Sequence, residues 1–395
     1  MNSGITTHIK KHRGTIALVA NQAWSIYNFR LPVIRALQAD GYRVVVIVPV
    51  DESVSVLLKE PGIELVALRH FRRNSTNIWA SVKMIVEFRK VYKALHPDAV
   101  IHFGVQANIF GNFAARLANI PSVCVVTGLG YTFLHKGMVP WLTRWLYRIT
   151  FLKTAKVVFE NQADLDLMVF SKMVERSITY HVPGCGIDTQ YFTASTTAAS
   201  LHPPVFTLIG RLLYDKGIRE FAAAAARLKA AYPAAECWLL GHLDNENPAH
   251  VHKEELIQWV KSGHINYKGA TKDVRPIIEQ SDWIVLPSYR EGLSRVLLEA
   301  MSMARPIITT DTPGCRETVV PGKNGFLVPV KDENLLFEAM LKACTISPEQ
   351  RYAMGKFGRE KAEKEYSANI VGQHFKKIIN TITDSTRKER IRDTR

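Results

Sequence analysis

The sequence lacks any run of the roughly 18–20 uninterrupted apolar residues that a membrane-spanning helix needs, which argues against a channel or transporter. Its basic N-terminus, "MNSGITTHIKKHRGTIALVA", passes into a strand pattern after a short apolar run and does not read as a signal peptide. Cysteine is sparse. Cys124, Cys185, Cys237, Cys315 and Cys344 are odd in number, scattered, and without CxxC or Cys/His spacing, so neither a zinc site nor a disulfide framework is expected. They fit reduced core residues of a cytoplasmic protein. Zinc-finger, RNA-recognition and bZIP signatures are also missing, so no nucleic-acid partner is expected. After the first strand stands "LVANQAWS" with no GxGxxG, which disfavours a nicotinamide-dependent dehydrogenase.

What is present is basic charge, unevenly placed. Of the net +15, residues 1–200 carry 22 Lys/Arg against 12 Asp/Glu, and the remainder 29 against 24. A basic first half suits an anionic partner such as acidic lipid or a phosphorylated substrate. A chain of 395 residues is long enough for two cores. Near-continuous apolar runs alternate with helical patterns in both halves. They are "TIALVA", "RVVVIVP", "AVIHF", "SVCVVTG" and "KVVFE" first, then "VFTLIG", "ECWLLG", "INYKG", "WIVLPS", "PIITT" and "GFLVPV". Strands of this kind are buried on both faces, as in parallel sheets covered by helices. The expected fold is α/β, with two Rossmann-like doubly wound domains facing across a cleft and ligands at the strand C-termini. The polar stretch "FTASTTAASLHPP" (192–204) reads as a linker between domains 1–195 and 204–370. A last helical stretch at about 348–383 is expected to cross back to the first domain, placing residues 371–395 there, with "TRKERIRDTR" as a frayed basic tail.

Two motifs carry chemistry. In "WIVLPSYREGLSRVLLEAM" a strand ends at Pro287–Ser288, Gly292 allows close backbone approach, and Ser294 stands as N-cap of the next helix. Amides at that helix start suit a diphosphate, and a carboxylate at Glu299 inside an apolar helix suits vicinal sugar hydroxyls. The same residues also fit an i,i+4 surface pair of Arg295 with Glu299, with Glu291 capping a loop. In "LIGRLLYDKGIREF", Gly210–Arg211 follows a strand and Lys216–Gly217 opens a helix, placing two cations around one strand-to-helix turn. Both motifs at strand ends of one domain point to one nucleotide-diphosphate pocket.

"GRLLYDKG" together with Glu291-x7-Glu299 resembles the retaining glycosyltransferases of GT-B fold that carry an EX7E motif (glycosyl transferases group 1). "VPGCGIDTQYF", "LLGHLDNE", "YKGATKDV", "PGCRETV" and "GKNGFLVP" extend the similarity over most of the chain, in order. The resemblance implies that residues 1–195 bind acceptor and 204–370 bind a nucleotide sugar. Arg211 and Lys216 would hold the donor diphosphate beside Gly210, and Glu291 would contact the donor sugar. Glu299 would take the ribose hydroxyls, and the amides of Gly292, Leu293 and Ser294 would meet the phosphates. Glu291, Arg211 and Lys216 become the catalytic candidates. "KGATKDV" would lie by the uracil of a UDP-sugar. No DxD pair stands at a strand end, so no metal and no cofactor are expected.

The first domain matches less well. Its first loop, "NQAWSIYNFR", has no glycine, and Asn21, Ser25 and Asn28 are expected to line the cleft. His102 fits a strand-end histidine of the family and equally a structural one. "VVTGLGYTF" offers Gly128, Leu129, Gly130 and Tyr131 where many members have a histidine near the donor sugar. This loop resembles those of enzymes that extend polyprenyl-diphosphate-linked glycans, which implies a lipid-linked saccharide acceptor. In "MVPWLTRWLYRITFLKTAK", Trp141, Leu142, Trp145, Leu146 and Ile149 share one helical stripe while Arg144 and Arg148 lie on another. Such a helix suits an anionic membrane interface, and equally a Trp/Leu stripe packed in the core. "HFRRNSTN" (70–77) adds a second basic loop. The expected protein is a retaining hexosyltransferase of bacterial surface-glycan or glycoprotein-glycan assembly, cytoplasmic and peripheral on the inner membrane face. A UDP-sugar epimerase of the same architecture and a non-catalytic sugar-nucleotide-binding protein are the alternatives.

Overall fold

The computed structural model describes residues 12–71, 78–129, 137–194, 203–244, 247 and 249–393. The apolar runs become two wholly parallel sheets. The first holds β1 (Gly14–Val19), β2 (Tyr42–Pro49), β3 (Ile63–Leu68), β4 (Ala99–Phe103), β5 (Ser122–Val126), β6 (Lys156–Phe159) and β7 (Thr179–His181), in the order β3-β2-β1-β4-β5-β6-β7. The second holds β8 (Val205–Ile209), β9 (Glu236–Leu240), β10 (Asn266–Tyr267), β11 (Trp283–Leu286), β12 (Ile307–Thr310) and β13 (Gly325–Val328), in the order β10-β9-β8-β11-β12-β13. β4, β5, β8, β11 and β12 are buried along their full length, as expected for sheets covered by helices on both sides. β3 and β7 were not expected from the sequence; both are sheet edges and half exposed, so their hydrophobic signal is diluted. Chain order reverses between β1 and β4 and again between β8 and β11. Those two switch points are where an open α/β sheet places its ligands.

The C-terminal segment departs from expectation. One helical stretch becomes two helices, Pro348–Glu365 and Ala368–Asp393, and the second runs on as helix through the stretch expected to fray. The break falls at Tyr366–Ser367 because Ser367 forms an isolated parallel bridge with Ile187. The Ile187 amide donates to Tyr366 O at 2.9 Å, and the Ala368 amide to Ile187 O at 2.8 Å. Both passages of the chain between the sheets therefore lie side by side. Ile187 and Phe192 already belong to the second domain's core, so the transfer of the chain precedes the expected linker, most of which lies outside the described residues.

Helix Ala368–Asp393 packs on helix Leu31–Ala39 of the first domain, where an added Cβ on Gly372 would meet Pro32 O at 3.0 Å and Ala36 Cβ at 2.9 Å. Its Val371, Phe375, Ile378, Ile379 and Ile382 join the first core, each side chain contributing about 1.5–3 kcal/mol. Tyr42 Oη donates to Asn380 Oδ1 (2.8 Å) and Lys376 pairs with Asp40 (2.8 Å).

Candidate active site

Strands β8 and β11 are neighbours, so the two motifs read from the sequence meet at their C-terminal ends. The loop after β8 lies flush against the loop after β11. The Tyr289 amide donates to Asp215 O (2.9 Å), as does Ser288 Oγ (3.1 Å). Gly217, at φ 72°, makes this possible: a Cβ there would lie 2.1 Å from Pro287 O. Across this junction Lys216 Nζ donates to Glu291 Oε1 at 2.5 Å, with both side chains largely buried. Glu291 is therefore no loop cap. Arg211, at the end of β8, pairs with Asp244 at 3.0 Å and keeps 43% of its side chain exposed, open to an incoming anion.

Ser294 occupies the N-cap position of helix Arg295–Ser302 but makes no side-chain cap hydrogen bond. Its own amide donates to Gly314 O (2.9 Å) and is thus engaged, contrary to the expectation that it is open to phosphate. The amides of Gly292 and Leu293 have no acceptor among the described residues. Glu299 does form the i,i+4 pair with Arg295 (2.9 Å), yet not at the surface. Burial raises the Glu299 carboxyl above its ordinary range, and Arg295 only partly opposes this. Arg295 also donates to Gly186 O (3.2 Å), beside the interdomain passage, and lies 5.6 Å from the Phe29 ring centroid. Gly210, Gly241 and Gly269 bring three strand ends together: Gly241 donates to Gly269 O (2.7 Å), and a Cβ on Gly241 would fall 1.7 Å from Gly210 O. "KGATKDV" borders this junction.

The first domain's candidates scatter. Ser25 Oγ donates to Gln22 O (2.8 Å) and Asn28 Nδ2 to Trp24 O (2.9 Å), so both are bonded within their own turn and helix; Asn21 is half buried beside them. His102 is a correction. It lies wholly buried inside β4 with Nε2 2.9 Å from Tyr92 Oη, and burial pushes its imidazole down to about 3. A neutral, sealed histidine presents nothing to a cleft. Gly128 does reach the second domain: its Cβ position would be 2.9 Å from Gly292 N. Tyr131 and Gly130 lie outside the described residues, as does loop 70–77 beyond Phe71. In helix Met138–Phe151 the Trp/Leu stripe divides: Trp141 is 64% and Trp145 49% exposed, with Leu142 also exposed, while Leu146 and Ile149 are half buried, Leu146 packs on the core, and Tyr147 and Phe151 face inward. Arg144 is half buried and Arg148 exposed.

Sequence reading missed Asp164, Asn161 and Glu160, which meet Arg290 and Gly292 from the first domain. The one local signal was Asn161 three residues before Asp164, a helix-cap pattern in which Asn161 Oδ1 accepts the Asp164 amide at 2.7 Å. Among the described residues no cluster of three or more His, Cys, Asp or Glu could hold a metal, and no helix is long and apolar enough to cross a membrane. A cavity of about 390 Å³ by Glu236, His264 and Asn266 opens at the opposite, N-terminal ends of β9 and β10 and gathers none of these groups.

Two facing doubly wound domains with cations and carboxylates at the second switch point define a GT-B glycosyltransferase architecture. Residues 30–180 match a "Glycosyl transferase 4-like domain" and residues 203–345 "Glycosyl transferases group 1". Between them these span most of the chain, which thus carries a glycosyl transferase 4-like domain followed by a glycosyl transferases group 1 domain. The chain is 28% identical to the N,N'-diacetylbacillosaminyl-diphospho-undecaprenol alpha-1,3-N-acetylgalactosaminyltransferase of Campylobacter jejuni, over 93% of this chain and 98% of that one. It is 24% identical to the UDP-Gal:alpha-D-GlcNAc-diphosphoundecaprenol alpha-1,3-galactosyltransferase of Escherichia coli, over 66% and 70%. Its fold is shared with sucrose-phosphate synthase from Thermosynechococcus elongatus (TM-score 0.79, 17% identity, 94% of this chain and 100% of that one). Anabaena HepE in complex with UDP shares it too (TM-score 0.76, 16% identity, 93% and 100%).

Proposed function

We propose that this glycosyltransferase is a retaining enzyme that moves a hexose or N-acetylhexosamine from a UDP-sugar to a polyprenyl-diphosphate-linked saccharide in bacterial surface-glycan or glycoprotein-glycan assembly. The observation that carries the reading is the meeting of Lys216, Glu291 and the open amides of Gly292 and Leu293 at the β8/β11 switch point. Departing UDP develops negative charge, and fixed cations with oriented amides stabilise it without a metal. Arg211 forks onto one part of the diphosphate, and Lys216 exchanges part of its contact with Glu291 for phosphate oxygen. Glu291, so released, faces the donor sugar, and Glu299 takes the ribose hydroxyls. Displacement occurs on the front face with no side-chain nucleophile. The acceptor class follows the names of the relatives from C. jejuni and E. coli, and the UDP donor accords with the latter name and with the HepE complex.

The chain works at the inner face of the cell membrane in this reading. Three helices in contact, Ile78–Leu95, Asn112–Leu117 and Met138–Phe151, turn Trp79, Val82, Val86, Phe113, Leu117, Trp141, Leu142 and Trp145 outward. Lys83, Arg89, Lys90, Lys93, Arg116, Arg144 and Arg148 lie on the same helices, with Glu87 the one carboxylate, a distribution suited to anionic lipid. Purified protein incubated with a panel of UDP- and GDP-sugars should release nucleotide only when membrane extract supplies acceptor. Conversion of a UDP-sugar without acceptor would favour the epimerase, and absence of both reactions a binding protein.

A further inference from the structure

The loop that carries Glu291 is held from both sides. Lys216 grips it from its own domain; from the other domain come Asp164, Asn161 and the backbone at Thr127–Gly128. Arg290 Nη2 donates to Asp164 Oδ1 across the cleft, with the two side chains only 15% and 1% exposed. The second carboxylate oxygen of Asp164 accepts the Leu129 amide (3.1 Å), next to Gly128. Asn161, which caps the helix bearing Asp164, donates through Nδ2 to Gly292 O at 2.6 Å. Two glycines let the backbones touch: a Cβ on Gly292 would fall 2.1 Å from Thr127 O, and one on Gly128 3.0 Å from Gly292 Cα. Beneath them Arg30 and Glu160 form a second buried pair at 3.0 Å, with Glu160 Oε2 only 3.1 Å from the Gly292 Cβ position.

We propose that Asp164 and Arg290 are positioning residues: an interdomain latch that closes the cleft and, through Arg290–Glu291–Gly292, sets the donor-side carboxylate and amides for transfer. Neither touches substrate; each acts through the residue next to it. The energetics suit a latch that opens. Two charges buried together nearly cancel attraction against desolvation, while opening the cleft returns both to water. The side-by-side passages at Ile187 and Ser367 are the place for the accompanying bend, because among the described residues the chain crosses between the domains there in two hydrogen-bonded segments. Gly128 has a reason under this scheme: it supplies backbone for contact with Gly292, where a side chain would hold the domains apart.

The latch rests on the donor-site reading for the role of Glu291, but its conformational part is tested separately. Small-angle X-ray scattering of the full chain should report a larger radius of gyration for Asp164→Asn and for Arg290→Met than for the parent chain. Steady-state kinetics should show donor KM raised on the order of tenfold with a smaller fall in kcat, because saturating donor pulls the cleft shut. The double variant should be no worse than either single one, and Arg290→Lys should recover part of the loss. Should a variant fail to fold by circular dichroism, Gly128→Ala drives the same contact apart from the other side. Unchanged scattering and KM in both singles, or losses that add in the double, would overturn the latch. Calorimetry with UDP separates the two ideas: parent chain that binds no UDP while its variants still expand sinks the donor reading and leaves the latch.

Discussion

The two switch points occupy equivalent places in two versions of one architecture, and they are finished in opposite ways. After β1, the helix Ala23–Phe29 begins with its amides taken: Asp51 Oδ2 accepts from Ala23 at 2.7 Å and from Trp24 at 3.4 Å, while Oδ1 accepts from Ser53 at 2.8 Å. A carboxylate already fills the place where an anionic ligand would sit. After β8 the helix Ile218–Ala231 starts at Gly217 with no side-chain cap, and Lys216 stands beside it. After β11 the amides of the buried Gly292 and Leu293 have no acceptor among the described residues. Topology supplies two candidate ligand sites; local chemistry fills one with the Asp51 carboxylate and sets Arg211 and Lys216 at the other. The outer surfaces diverge as well. Trp24, Trp79, Met138, Trp141 and Trp145 are all exposed on the first domain, whereas no tryptophan is among the exposed large side chains of the second.

The sharpest way to break this contrast is Lys216→Ala. It should lower turnover about 10²–10³-fold, the cost of removing one preorganised donor from a leaving group, a far larger effect than the loss of stability from leaving Glu291 unpaired. Near-normal turnover would mean that the second switch point is no more catalytic than the first. Next in size, Trp141→Ser with Trp145→Ser should reduce affinity for anionic vesicles by about tenfold or more and leave UDP affinity unchanged, as two exposed anchors of an amphipathic face would require. Arg148→Gln should add a loss of about 1 kcal/mol that vanishes at high salt. Asp51→Ala is the complementary probe of the first domain. Losing a helix cap should cost about 1 kcal/mol in denaturant unfolding without altering donor KM. The smallest effect concerns pH. Burial raises the Glu299 carboxyl above its ordinary 4.5, so on acidification it takes up its proton earlier than a free glutamate does. In the proposed role the ionised form is the one that accepts two ribose hydroxyls. Donor affinity should therefore fall with falling pH from above 4.5, and Glu299→Gln should flatten that slope. Affinity that stays level in the parent chain down to 4.5 would remove Glu299 from the ribose.

The strands of both sheets were legible wherever burial on both faces made them continuously apolar, as in "AVIHF" and "WIVLP". β3 and β7 were not, because an edge strand wets one side and loses that signature. Lys216, Glu291 and Glu299 could be picked out since each sits at a turn or on an apolar helix, where a charge is locally out of place. Arg290 and Asp164 could not: 126 positions separate them, and neither breaks a local pattern strongly. Ser294 misled because a residue type fit for capping does not fix what its amide meets, and Gly314 claims it. His102 misled for the same reason, since an imidazole in an apolar strand reads alike whether it faces a cleft or a tyrosine. The Trp/Leu stripe of Met138–Phe151 was ambiguous between core and surface until the inward face proved to be Tyr147 and Phe151.

Helix Ala368–Asp393 has a consequence for how the molecule is made. Val371, Phe375, Ile378, Ile379 and Ile382 complete a core whose other buried members lie between Ile16 and Val182. A ribosome delivering the chain from its start releases the first sheet with that groove still uncovered, and must translate the whole second domain before the covering helix emerges. Until then the nascent first half carries an open greasy seam, the sort of surface on which chaperones act and on which premature termination products aggregate.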